Sequence, residues 1–204
     1  MNKLIVSLLL TLGITGVAHA AGDATAGQTK AAVCGACHGP DGNSPAPNFP
    51  KLAGQGERYL KKQMHDIKDG KRTVLEMTGM LTNLTDQDLE DIAAYFASQT
   101  GSVGAADKAL VVRGEALFRG GNLEKGLPAC TGCHSPDGSG NAAAGFPHLG
   151  GQHAQYIAKQ LTDFRKEEAG RVNDGDAMTM RTIARKLSDE DIAAVASYIQ
   201  GLHK

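Results

Sequence analysis

The chain has 204 residues, 41% hydrophobic and 21% charged, which fits one large or two small globular domains and excludes a disordered tail. Lys plus Arg number 21 against 22 Asp plus Glu, so the formal charge of −1 carries no footprint of a nucleic-acid binder. Five Phe, four Tyr and no Trp are few large side chains for a core, and something else is expected to fill it.

At the N-terminus, Lys3 supplies a positive charge, Leu4 to Val17 is apolar, and Ala18-His19-Ala20 offers a cleavage site. This predicts a secretory signal peptide over residues 1–20, too short and wrongly flanked for a spanning helix. The expected location is the periplasm.

The rest of the chain repeats itself. Cys34-Gly35-Ala36-Cys37-His38 matches Cys130-Thr131-Gly132-Cys133-His134 at an offset of 96. Phe49-Pro50 and Leu52-Ala53-Gly54-Gln55 match Phe146-Pro147 and Leu149-Gly150-Gly151-Gln152 at 97, a register that Tyr59, Lys62, Gln63 and Asp66 continue. Leu84-Thr85-Asp86 to Tyr95 matches Leu187-Ser188-Asp189 to Tyr198 at 103, so the second copy carries short insertions. The expected division is 21–98, a Gly/Ser-containing linker over 99–107, and 108–204.

Both copies read as helical. Leu60, Met64 and Ile67 fall at i, i+4 and i+7, as do Ile157, Leu161 and Phe164, with Gly70 and Gly170 as stops. Thr85 with Asp88, and Ser188 with Asp191, predict capping boxes ahead of the stripes Leu89-Ile92-Phe96 and Ile192-Val195-Ile199. The opening helices are less regular, although Leu110, Gly114, Leu117 and Phe118 lie on one periodic face. No stretch alternates as a strand would. The expected class is all-α, a tandem pair of small helical domains.

All four cysteines lie in the two Cys-x-x-Cys-His motifs, the spacing of covalent c-type haem attachment. Two thiols on one turn can each add to a vinyl group of one macrocycle, and the following His is then held under the iron. A thioredoxin-like pair would need a βαβ context, a four-thiolate zinc site would leave His38 and His134 unused, and plain disulfides would not explain the repeated His. Cys34, Cys37, Cys130 and Cys133 are therefore the expected attachment residues for two haems, with His38 and His134 as iron ligands. Haem also answers the thin core, because about 80 to 100 residues per copy is a marginal size for a protein core.

The other axial ligand follows from register. Met64 pairs with Leu161, Met80 with Ile183 and Met178 with Leu75, whereas Met77 and Met180 fall on each other at the offset of 103. Met77 and Met180 are the expected distal ligands, with Met80 and Met178 as their rivals. His65, His148, His153 and His203 have no matching His and are expected to be ordinary polar residues. His/Met ligation fills both axial positions and suits a one-electron carrier rather than an enzyme.

These motifs, with Asn48 to Gln55, Glu76 to Met80 and Asn173 to Met180, make the whole mature chain resemble the di-haem cytochrome c4 family. The resemblance implies two cytochrome c domains with haem propionates near each other, in a periplasmic protein loosely associated with the membrane. It further implies electron transfer from a quinol-oxidising respiratory complex to a terminal oxidase. Pro50 and Pro147 resemble the residue whose carbonyl orients the proximal His in single-haem relatives. The loop before Met77 is shorter than its counterpart, which implies a more exposed first haem.

Charge divides mildly, with eight Lys/Arg and ten Asp/Glu over 21–104 and twelve of each over 105–204. Lys61-Lys62 and Arg185-Lys186 read as solvated faces or the rim of a docking patch. The competing function is a di-haem peroxidase or sulfur-compound dehydrogenase, which needs one open or unusually ligated haem. A haem subunit of an oxidase would need an anchor that is not expected here.

Overall fold

The computed structural model describes residues 21–166 and 171–203. The leader expected over residues 1–20 and the helix stop expected at Gly170 lie outside them. The described residues contain helices and turns without a strand, and their only bridges are the isolated pairs Asn122–Leu127 and Asn141–Phe146.

In the first half, α1 (Ala24–Lys30) leads through a 3₁₀ turn into α2 (Gly35–His38), followed by α3 (Glu57–Lys68) and α4 (Asp86–Ser98). The second half repeats the order as α5 (Val111–Gly120), α6 (Thr131–His134), α7 (Ala154–Arg165) and α9 (Asp189–Gly201), with α8 (Thr179–Ala184) added before the last helix. In both halves the first helix packs on the last, α1 on α4 and α5 on α9.

The predicted helix signals operate as expected. Thr85 and Ser188 accept from the backbone N–H of Asp88 and Asp191 (3.2 Å each), whose carboxylates accept in return from the backbone N–H of Thr85 and Ser188. Gly70 adopts φ +73° just past α3, the left-handed backbone that ends a helix at little steric cost to glycine. The predicted stripes are buried, Leu89, Ile92 and Phe96 in the first half and Ile192, Val195 and Ile199 in the second.

The capping carboxylates also latch the helices together. Arg113 of α5 and Lys125 each reach Asp191 at 2.6 Å, while Lys30 of α1 reaches Asp88 at 2.7 Å and also Asp91. Burial would raise the Asp191 carboxyl, but Lys125, Arg113 and the Ser188 backbone outweigh it and hold it well below the usual range.

The α5–α9 crossing depends on the missing side chain of Gly114. A Cβ there would collide with the Ala194 carbonyl oxygen and come within 2.6 Å of the Tyr198 Cβ. Gly114→Ala should therefore destabilise the second half by about 1–3 kcal/mol, as overpacking does. Gly120→Ala, with nothing within 4 Å of its Cβ, is the control. Thermal unfolding followed by circular dichroism checks the difference, and equal midpoints would refute it.

Candidate functional site

The Cys-x-x-Cys-His sequences form short single turns, α2 and α6 with the residues just before them. One turn sets the two cysteines of a pair on neighbouring positions and aims the following His inward, so His38 and His134 are both buried. Cys34 and Cys130 pack against the hydrophobic clusters of their own halves, while Cys37 is exposed and Cys133 half-buried. Burial pushes the free Cys34 thiol up and the free Cys130 thiol up to about 11.

Each buried imidazole is held in the same way. His38 Nδ1 lies 2.9 Å from the Pro50 carbonyl oxygen and His134 Nδ1 lies 3.0 Å from that of Pro147. A carbonyl can only accept, so Nδ1 carries the proton and Nε2 keeps its lone pair. Burial pushes both imidazoles down from their ordinary value, against the opposing pull of the proline carbonyls, and the rings stay neutral. The Phe before each proline stands against the ring, Phe49 at 6.2 Å and Phe146 at 6.3 Å between centroids. Both prolines thus sit where the resemblance implied.

One continuous cavity of about 1220 Å³ runs through both halves, with more apolar than polar surface on its wall. It exceeds the roughly 300–1,000 Å³ of an ordinary small-molecule site. All four cysteines, both motif histidines, Met77 and Met180 line it. Met77 ends the 3₁₀ turn Leu75–Met77, and Met180 lies in α8, packed on the second core. The rivals Met80 and Met178 are 43% and 41% exposed and are not among the lining residues. On the side of the first half, Cys37 is exposed and Leu75 is 79% exposed.

Among the described residues no three His, Cys, Asp or Glu side chains converge as a protein-only metal site requires. An iron here needs a macrocycle to supply its remaining donors. The cavity wall fits one, because it joins thiols, imidazole and thioether in each half to apolar side chains such as Leu60, Ile92, Ile157 and Leu161. It also offers two guanidiniums. Arg72 donates to Gln63 (2.8 Å), to Tyr156 (3.1 Å) and to Gln160 (3.0 Å). Arg171 donates to Gln160 (2.6 Å), Gln63 (2.7 Å), Tyr59 (3.1 Å) and Asn173 (3.0 Å). These partners are amide and phenol oxygens, not carboxylates. Asp174 acts on Arg171 through charge alone, and two cations at the seam whose hydrogen-bond partners are neutral suit the acidic groups of a macrocycle's edge.

The seam between the halves carries residues whose role the sequence did not disclose. Gln55 and Gln152 are buried and each bonds to the backbone of the other half. His148 and His153, expected to be ordinary polar residues, also lie there. His148 Nδ1 lies 3.2 Å from the Gly54 oxygen and His153 Nε2 lies 2.8 Å from that of Ser44. Lys62, read as part of a solvated face, donates to the Asn173 carbonyl at 2.9 Å across the same seam. The available signal was the repeat itself, since Gln55/Gln152, Tyr59/Tyr156 and Gln63/Gln160 are polar identities kept in register.

Comparison with known proteins agrees with this geometry. The family model described as Cytochrome c matches residues 24–100 and again 111–203. The chain is 79% identical over 203 residues to cytochrome c4 of Pseudomonas aeruginosa, covering 100% of both chains. It is 36% identical to the thiosulfate dehydrogenase electron acceptor of Stutzerimonas stutzeri, over 82% of this chain and 78% of that one. Among solved structures, reduced recombinant cytochrome c4 from Pseudomonas stutzeri superposes with a TM-score of 0.87 at 70% identity, covering 90% of this chain and 100% of that one.

Proposed function

The chain belongs to the di-haem cytochrome c4 family, and from that premise we propose that it carries electrons from a quinol-oxidising complex to a terminal oxidase in the periplasm. Cytochrome c4 proteins are electron carriers, not enzymes, and carry two covalently bound haem c groups. Each haem supplies an iron that gains and loses one electron. The protein residues do the rest. In this reading Cys34 and Cys37 tether the first haem, and Cys130 and Cys133 the second. His38 and His134 offer Nε2 to the irons, with Nδ1–H fixed by Pro50 and Pro147. Met77 and Met180 would supply thioether sulfurs to the irons, and Arg72 and Arg171 would hold the propionates.

The observation that supports this best is the matched donor set. Each half brings a thiol pair, a buried His with its tautomer fixed and a Met to the wall of one cavity. A carrier needs both axial positions filled in both oxidation states, so that little rearranges when the electron moves. Among the described residues no helix is long and apolar enough to cross a membrane. One finding favours a second class of donor, because the relative from Stutzerimonas stutzeri is named as the electron acceptor of a thiosulfate dehydrogenase. A dehydrogenase for sulfur compounds could feed the same two haems.

The enzyme reading requires an open iron with a polar group to activate the substrate. Arg181, beside Met180, is not free for that, since its Nε donates to Asp174 at 2.7 Å and its backbone N–H at 2.9 Å. Carbon monoxide added to the reduced protein at neutral pH should therefore leave both haem spectra nearly unchanged. Stoichiometric binding to one haem would overturn the carrier reading in favour of an enzyme.

A further inference from the structure

The carbonyl that holds each proximal His belongs to a peptide group whose other end is engaged by the opposite half. The Pro50–Lys51 peptide accepts from His38 Nδ1 through its oxygen, and its N–H donates to Gln152 Oε1 at 2.9 Å. The Pro147–His148 peptide accepts from His134 Nδ1, and its N–H donates to Gln55 Oε1 at 2.8 Å. Each glutamine then returns a bond from Nε2, Gln152 to the Lys51 carbonyl and Gln55 to the His148 carbonyl, both at 2.9 Å. Its Oε1 accepts once more at the start of its own helix, from Gly56 N–H for Gln55 and His153 N–H for Gln152, both at 3.0 Å. Both glutamines are 7% exposed. Each Oε1 accepts twice and each Nε2 donates once, which holds the amide in one orientation.

A peptide that donates through its N–H becomes a better acceptor at its oxygen, because bonded dipoles polarise one another, more so out of water. We propose that Gln55 and Gln152 are positioning residues that act in trans, each setting the electron-donating strength of the proximal histidine in the other half. Gln152 strengthens the His38–Pro50 bond and Gln55 strengthens the His134–Pro147 bond. A stronger bond gives the imidazole more anionic character, which favours the oxidised iron and lowers that haem's potential. This rests on His38 and His134 being the proximal ligands.

The test uses the full two-haem protein with Gln152→Leu or Gln55→Leu. Potentials are measured with each wave assigned by NMR to its own haem, together with the Nδ1–H resonances of His38 and His134. Gln152→Leu should raise the potential of the first haem and move the His38 Nδ1–H resonance, leaving the second haem nearly unchanged. Gln55→Leu should do the reverse. The expected size is a several-fold change in the oxidised-to-reduced ratio at fixed potential, where tenfold is 59 mV for one electron. General loosening of the seam would admit water to both haems and lower both potentials, the opposite sign. A shift confined to the half that carries the substitution, equal shifts in both, or falling potentials would each overturn the proposal. Wild-type protein without a His-ligated low-spin haem in either half would instead overturn the ligand reading, before any variant is compared.

Discussion

Protein carrying Cys34→Ala and Cys37→Ala together should retain one covalently bound haem per chain after denaturation, and its first half should not fold. The reason is the size of the first core. Its buried cluster is Ala31, Leu60, Ile92, Ala93, Tyr95 and Phe96, with Cys34, Leu52, Met64 and Leu84 partly buried against it. Of these, Leu60, Ile92, Phe96, Cys34, Leu52 and Met64 line the large cavity, and an unfilled cavity costs about 24 cal/mol per Å³. A few hundred Å³ on that scale is about 5–10 kcal/mol, the whole stability of a typical domain. Haem quantitation and circular dichroism check both parts. The corresponding change at Cys130 and Cys133 should spare the first haem. Two haems retained by the first variant would refute the assignment of the attachment residues.

Met77→Leu and Met180→Leu should each convert one haem to high spin or to a substitute ligand and lower its potential. Leu keeps the apolar volume but removes the sulfur lone pair, so the loss falls on the iron rather than on packing. Met80→Leu and Met178→Leu should leave both spectra and both potentials unchanged, since these residues are exposed and away from the cavity wall. Optical and resonance spectra of the four variants decide it. Loss of the Met–iron signature in Met80→Leu would mean that the repeat register misplaces the first distal ligand by one turn.

What was legible in the sequence is what one half can express alone or what the two copies share in register. The Cys-x-x-Cys-His spacing names its chemistry within five residues, and the capping boxes at Thr85 and Ser188 mark the last helices without any tertiary information. Singling out Met77 and Met180, which the structure places on the cavity wall, needed the second copy, which separates a position that keeps sulfur from positions content with Leu or Ile. The seam was not legible. Arg72 and Arg171 play matching parts, yet their offset of 99 fits none of the three registers, because the loops that carry them differ in length. Gln55 and Gln152 were visible as a repeated identity, but a pairwise register does not say that each bonds to the other copy. Helix α8 was missed because Met178, ahead of it, sits in the left-handed region at φ +48°, a start that no capping preference announces.

The segment joining the halves is held along its length. Asn43 of the first half donates to the Thr100 carbonyl (2.9 Å) and accepts from the Ser102 N–H (2.7 Å), and Lys51 donates to the Ser102 carbonyl at 2.8 Å. On the other side Gly104 N–H donates to the Gln200 carbonyl (3.1 Å), Gln200 Nε2 donates to the Ala105 carbonyl (2.9 Å), and Asp107 N–H donates to Ser197 (2.8 Å). A loose tether would hold one half near the other only on average, at an effective concentration set by its length. A segment fastened at both ends makes that average irrelevant, since the two halves already stand in their encounter geometry. Electron exchange inside the molecule then waits for no collision. Its rate should be the same in water and in viscous glycerol solution, while exchange with an outside protein slows with diffusion.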